Sequence, residues 1–337
     1  MININNRQQG KNGMTDETND TVSAGKNTTA ALTDKQRRLV SAATEISTSD
    51  PDDVEFIHAT FAQVALPRSR TSGREFYRRF GSVNIHLQAG VTERAGQLVP
   101  RPLPYGTPPR KFLIHATTWA LRNRTCEIPL GSSMRDLMMN CLGYKHVSGG
   151  KNGSMTSLKR QLYALVASRI TLGWQKHGRD ITQKVDIFQR LEDPAFWYED
   201  VQGGLFPATA LLSADYLAAI QEHAFPVDPR AIRALESALA VDIYVWLAYR
   251  LRKIARGKPL PLSYAAAKAQ FGEDYRDPKN FKKKFNIAMR DALMVYPDAR
   301  VESVEGGFDL YHSRPPIAER VIVPVGLASP PRRTEFA

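Results

Sequence analysis

The sequence predicts a mixed α+β chain, mostly helical, in which two copies of one structural unit follow a disordered N-terminal tail. Three observations carry that prediction. Helical apolar spacing dominates from Pro109 onwards, the same series of elements occurs twice, and residues 1–50 are too poor in large apolar side chains to form a core. With 337 residues and 42% hydrophobic content, the chain can bury two ordinary cores.

Residues 1–50 are rich in Asn, Thr, Gly, Asp and Lys and read as a mobile tail, with no more than a transient helix from Thr33. Residues 51–108 hold an aromatic group (Phe56, Phe61, Phe76, Tyr77, Phe80) and then the run LVPRPLPYGTPPR, which excludes helix and central strand. This stretch is expected to be an extended, partly ordered lead-in. The first unit, residues 109–213, starts with a helix that buries Phe112, Leu113, Trp119 and Ala120. Extended IPLGSS follows, then a short helix capped by Ser132 or Ser133 and closed by Gly143. After the polar loop KHVSGGKNGS comes a helix with Leu158, Leu162, Leu165 and Val166 on one face, and then the strand pair ITLGWQ and DITQKVDIF.

Residues 192–227 read as a connecting piece with a helix from about Ala214. The second unit, residues 214–317, continues with one long helix that Asp228 caps and Pro229 opens. Ile232, Leu235, Leu239, Ile243, Trp246, Leu247, Leu251 and Ile254 run along it, and Gly257 ends it. Then come extended LPLSY, a short helix ending in Gly272, the polar loop EDYRDPKN, a helix from Pro278, and the hairpin RVESV, EGG, FDLYHS. Residues 318–337 read as a loose tail.

The two units share an order of helix, extended piece, short helix, helix and hairpin. At a constant offset of 123, Leu158, Leu162, Leu165 and Val166 fall on Phe281, Phe285, Ala288 and Met289. A period of that length means a duplicated domain and not a solenoid. That order predicts two tandem winged helix-turn-helix domains, in which the third helix enters the major groove and the wing touches the backbone.

In PKNFKKKFNIAMRDALMVYP, Phe281, Phe285, Ala288, Met289 and Ala292 fall on one helical face, and Lys279, Lys283, Asn286 and Arg290 on the opposite one. Asp277 as N-cap and Pro278 at the first position would leave backbone N–H groups beside the lysines, a geometry that suits phosphate. The equivalent face of the first unit offers Thr156, Arg160, Tyr163, Ala164 and Ala167, of which one is charged. The second unit is therefore expected to read bases, and the first to touch backbone or a second protomer. The candidate DNA-binding residues are Lys279, Asn280, Lys282, Lys283, Lys284, Asn286 and Arg290, with His312 and Arg314 at the end of the hairpin. The first unit adds Ser154, Thr156, Ser157, Lys159, Arg160, Lys176 and Arg179.

A formal charge of +12 favours a polyanionic partner. The sequence has no run of 18 apolar residues and no basic-then-apolar leader, which points to the cytoplasm. Cys126 and Cys141 form no CxxC, which argues against disulfide and structural zinc. Gly10, Gly25 and Gly150 each precede lysine but lack the other glycine and the Ser or Thr of a phosphate-binding loop, so ATP hydrolysis is not expected. His58, His86 and His115 have no metal spacing, and no nucleophile triad is positioned; the expectation is no enzyme, no metal and no cofactor. Trp119 and Trp246 lie on apolar helix faces and are expected in the core rather than stacked on bases.

From about Pro104 to Ser313 the chain resembles the plasmid-encoded RepA-type replication initiators, a family of paired winged-helix proteins. The resemblance rests on PYGTPPRKFL, IPLGSS, LGY followed by SGGKNGSMTSLKRQL, LSADYLAAI, PVDPRAIRAL and VDIYVWLAYR. It implies binding to repeated double-stranded sites at a plasmid origin, opening of adjacent duplex, and recruitment of the host replicative helicase and initiator proteins. It also implies self-association to a homodimer and a monomer or dimer choice that regulates copy number, in the bacterial cytoplasm with the plasmid and nucleoid. A winged-helix transcriptional repressor, including an autorepressor, would use the same folds without melting an origin.

Overall fold

The computed structural model describes residues 32–94, 97–176, 179–183, 185, 187–188, 209–272 and 274–317. It is a mixed α+β structure with several small antiparallel sheets. Most of the predicted tail, residues 1–31, and the C-terminal tail, residues 318–337, lie outside the described residues.

The first described element corrects the expectation of a disordered tail through residue 50. Helix α1 (Asp34–Thr48) opens on a capping box: the Thr33 hydroxyl accepts from the Gln36 N–H, and the Gln36 side chain accepts from the Thr33 N–H at 2.9 Å. Its buried side chains are Leu39 and Ala42. Two long-range hydrogen bonds hold it. Arg38 Nε donates to the Ala234 carbonyl at 3.2 Å, and Arg230 Nη1 donates to the Glu45 carbonyl at 3.1 Å.

Residues 51–108 are more than a lead-in. Strand β1 (Glu55–His58) and short helix α2 (Ala59–Gln63) precede two hairpins, β2 (Glu75–Phe80) with β3 (Val83–Gln88), and β4 (Val91–Arg94) with β5 (Gln97–Pro100). Val83, Ile85 and Leu87 alternate inward on β3, as period two requires of a half-buried strand. The proline-rich run has no regular element from Arg101 to Gly106, but its last four residues, Thr107–Arg110, form the first turn of α3 (Thr107–Asn123), against the expectation that the run excludes helix. Prolines in a first turn give up no intrahelical bond.

In the first unit, β6 (Glu127–Pro129) leads to α4 (Met134–Asp136), capped by the Ser133 hydroxyl and continued by a π turn, Leu137–Cys141. Helix α5 (Ser154–Ala167) and strands β7 (Arg169–Lys176) and β8 (Arg179–Gln183) follow. The hairpin is not a free wing: β7 also pairs with β3, giving the sheet order β2-β3-β7-β8. Strand β6 pairs instead with β9 (Thr209–Leu211).

After α6 (Ala214–His223), strand β10 (Ala224–Val227) returns to β1. The long helix expected from Pro229 is two helices, α7 (Pro229–Ala234) and α8 (Ala238–Arg250). Leu235 is extended, and side chains from elsewhere capture the carbonyls around the break. Lys111 Nζ reaches Arg233 at 3.3 Å, and the Thr107 hydroxyl reaches Glu236 at 2.6 Å. The unit ends with β11 (Leu260–Ser263), α9 (Tyr264–Phe271), α10 (Pro278–Met294), β12 (Val301–Val304) and β13 (Gly307–Leu310), with sheet order β11-β13-β12. Gly306 turns the hairpin at φ +85, and a Cβ on Gly307 would lie 2.1 Å from the Leu262 carbonyl oxygen.

One apolar cluster runs through both units. Trp246 joins it, 6% exposed and edge-on to Phe271 at 5.4 Å, whereas Trp119 is 37% exposed, against the expectation of core packing. A buried ionic group also ties the units. Arg110 of α3 is bidentate to Asp242 of α8 at 2.6 and 2.9 Å, while Arg78 reaches Asp274 in the turn before α10 at 3.3 Å.

Candidate nucleic-acid interface

Helix α10 begins at Asp277, whose carboxylate accepts from the Lys279 N–H at 2.9 Å and the Asn280 N–H at 3.1 Å. The first-turn amides expected to meet phosphate are thus already bonded, and a carboxylate sits at the positive end of the helix. This corrects the sequence-based picture of a free N-terminal turn.

The division of faces is as the spacing predicts. Phe281, Phe285, Ala288, Met289 and Ala292 are buried, and the Phe281 and Phe285 rings pack tilted by 33° with centroids 5.3 Å apart. Each buried phenylalanine contributes about 1.5–3 kcal/mol, which holds the helix in place. Gly272 in the preceding turn allows that packing, because a Cβ there would lie 2.5 Å from the Phe281 ring. Lys279, Asn280, Lys282, Lys283, Lys284, Asn286 and Arg290 are all exposed.

Tyr264, at the start of α9, organises the middle of this face. Its hydroxyl donates to Asn286 Oδ1 at 2.9 Å, and Lys282 Nζ lies 4.5 Å from its ring centre. Sequence reasoning missed Tyr264: the two residues are on different helices, and no spacing rule joins them. Beside this face, Arg290 Nη2 stands 3.9 Å from Asp291 Oδ1, and Lys35 of α1 forms an ion pair with the same buried carboxylate.

The hairpin contributes little positive charge. Glu302 and Glu305 are exposed on it, and the Tyr311 hydroxyl donates to Glu302 at 2.9 Å, a bond that raises the phenol's pKa. Such a surface repels phosphate. His312 is half-buried and Arg314 exposed beyond the hairpin, where the Arg314 carbonyl accepts from the Tyr296 hydroxyl at 2.6 Å.

In the first unit, Ser157 and Arg160 are exposed, and Ser154, Thr156 and Lys159 are half-buried. The loop before α5 is closed on itself: the Ser154 hydroxyl accepts from the Ser148 N–H at 2.9 Å, and the Thr156 hydroxyl donates to the Gly150 carbonyl at 2.7 Å. Tyr163 and Ala164, expected on the outward face, are buried, and the Arg101 guanidinium covers the Tyr163 ring at 5.2 Å. Only the N-terminal half of α5 is therefore open. Lys176 and Arg179 are backbone partners in the β7–β8 register.

Burial lowers the pKa of His58 and of His115 to about 4, so both rings are neutral near pH 7. The His58 Nδ1 accepts from the Thr60 N–H at 3.2 Å, a structural role. No helix in the described residues is long and apolar enough to cross a membrane.

Residues 103–264 match a family model described as plasmid encoded RepA protein. The match ends at Tyr264, so α10 and the β12–β13 hairpin lie beyond it. No curated protein and no solved structure matches the chain.

Proposed function

We propose that the chain, of which residues 103–264 match the plasmid-encoded RepA family model, is a plasmid replication protein that initiates replication by binding repeated duplex sites at a plasmid origin. In this reading both units are winged helix-turn-helix domains, and α10 is the helix that enters the major groove. The observation that carries it is the exposed face of Lys279, Lys282, Lys283, Asn286 and Arg290 on a helix anchored by Phe281 and Phe285. Lysines and Arg290 supply phosphate or guanine contacts, and Asn286 has the donors and acceptor for adenine.

The first unit has a smaller role. Its open half-helix, with Ser157 and Arg160, suits backbone contact. The exposed carboxylates of Glu302 and Glu305 on the hairpin of the second unit disfavour a phosphate contact there, so readout falls to α10. Bound protein then opens neighbouring duplex and recruits the host helicase and initiator proteins, without catalytic chemistry of its own. The chain self-associates to a homodimer, a choice between monomer and dimer regulates copy number, and the setting is the bacterial cytoplasm, on the plasmid.

Footprinting on the plasmid segment beside the coding region tests target and repetition together. The expected result is a series of evenly spaced protected sites with permanganate-reactive thymines next to them. Protection of a single promoter site with the duplex left paired would instead identify a repressor.

A further inference from the structure

A cleft of about 360 Å³ lies between α1, the first turn of α3, the loop from Gly143 to His146, and α7. Its volume is within the range of small-molecule sites, roughly 300–1,000 Å³. Arg38, Lys111, Lys145, His146, Arg230 and Arg233 line it, against the carboxylates of Glu45 and Glu236. The fold accounts for two of these cations: Arg38 pairs with Glu236 at 2.7 Å and Arg230 with Asp228 at 2.8 Å. Lys145, His146 and Arg233 are exposed in a concave site where positive charge is in excess.

Lys111 is the unusual member. It is 6% exposed, and its ammonium donates to the Arg233 carbonyl at 3.3 Å and lies 4.9 Å from the Tyr144 ring centre. An ammonium has three donors, and one carbonyl and a ring face do not satisfy them. Burial lowers its pKa to about 8; Glu55 on β1 and Glu236 oppose that shift, while Arg38 and Arg233 reinforce it. Gly143, at φ +67, lets Arg233 close over the loop, since a Cβ would lie 2.5 Å from the Arg233 side chain.

We propose that this cleft binds a small polyphosphate-bearing molecule through Lys111, Lys145 and Arg233. Several donors converging on a walled site suit a compact multiple anion, and the walls exclude a duplex. The ligand is bound and not hydrolysed. Helix α1 forms one wall, and its Lys35 pairs with Asp291 of α10, so an occupied cleft steadies α1 beside the cationic helix. The proposal does not rest on the DNA-binding reading.

Calorimetric titration of the full chain with sodium tripolyphosphate and, separately, with ATP tests it at physiological ionic strength. One saturable site per chain is expected, weakened at least about tenfold by Lys145→Ala with Arg233→Ala in a protein of unchanged circular dichroism. Tighter binding of ATP than of tripolyphosphate would identify a nucleotide; equal binding would identify the phosphate chain alone. Near pH 8 binding should take up protons, and Lys111→Met should abolish that uptake; if that variant fails to fold, the double variant still decides. Unsaturable binding, or affinity unchanged in the double variant, overturns the proposal. So does loss of duplex binding in the double variant when neither polyphosphate binds, because the cleft would then be a nucleic-acid contact.

Discussion

In the proposed reading, the groups that Asn286 leaves free set which base α10 prefers. The Tyr264 hydroxyl donates to one lone pair of Oδ1, leaving the second lone pair and both N–H donors. Those are the groups that a bidentate bond to adenine uses. Asn286→Ala should relax preference at one base pair, costing about 1–3 kcal/mol on the preferred site and little elsewhere. Tyr264→Phe should keep the fold and reduce the same preference by about 1 kcal/mol, the worth of one net hydrogen bond. Competition binding with duplexes substituted one base pair at a time measures both. The 100° spacing made Asn286 legible as an outward residue; its partner was not, because contacts between helices leave no local pattern.

For the elements, α10 and α1 depend on different sources of stability. The Asp277 cap, Pro278 and the apolar stripe all belong to α10's own sequence, and all were legible there. Asp277→Ala should cost about 1 kcal/mol and lower the melting temperature. Helix α1 has a capping box but buries only Leu39 and Ala42, so it reads as transient when taken alone. Docking makes the difference, through Arg38, Arg230 and the ion pair of Lys35 with Asp291. Removing residues 1–49 should therefore lower the melting temperature, since the Lys35–Asp291 ion pair and the burial of Leu39 and Ala42 would be lost. An unchanged transition in differential scanning calorimetry would show that α1 contributes nothing to the fold.

Across the whole molecule, the order of elements was legible and the pairing of strands was not. Helix, extended piece, short helix, helix and hairpin recur in both units, as the offset of Leu158 onto Phe281 indicates. Nothing local shows that β7 joins β3, or that β1 waits for β10, because such pairings depend on segments far apart in the chain. The break at Leu235 is of the same kind: its carbonyl partners, Lys111, Arg38 and Thr107, come from other elements. Burial also sets the response to acid. His58 and His115 are depressed from 6.5 to about 4, so the unfolded chain binds more protons between those values, and stability falls as pH drops through them. Each contributes up to ~3 kcal/mol. Glu55, raised to about 7, acts in the opposite sense between its ordinary value and 7, and the two histidines outweigh it. Melting temperature should therefore fall from pH 6.5 towards pH 4, and a flat profile there would contradict this assignment.

Salt titration of binding to origin and unrelated duplex, comparing the wild type with Lys283→Ala, tests the proposal that the exposed face of α10 meets the duplex. The expected result is weaker binding to both DNAs, with the slope of log K against log salt shallower by about one unit. Identical slopes and affinities for the two proteins would mean that α10 does not touch DNA.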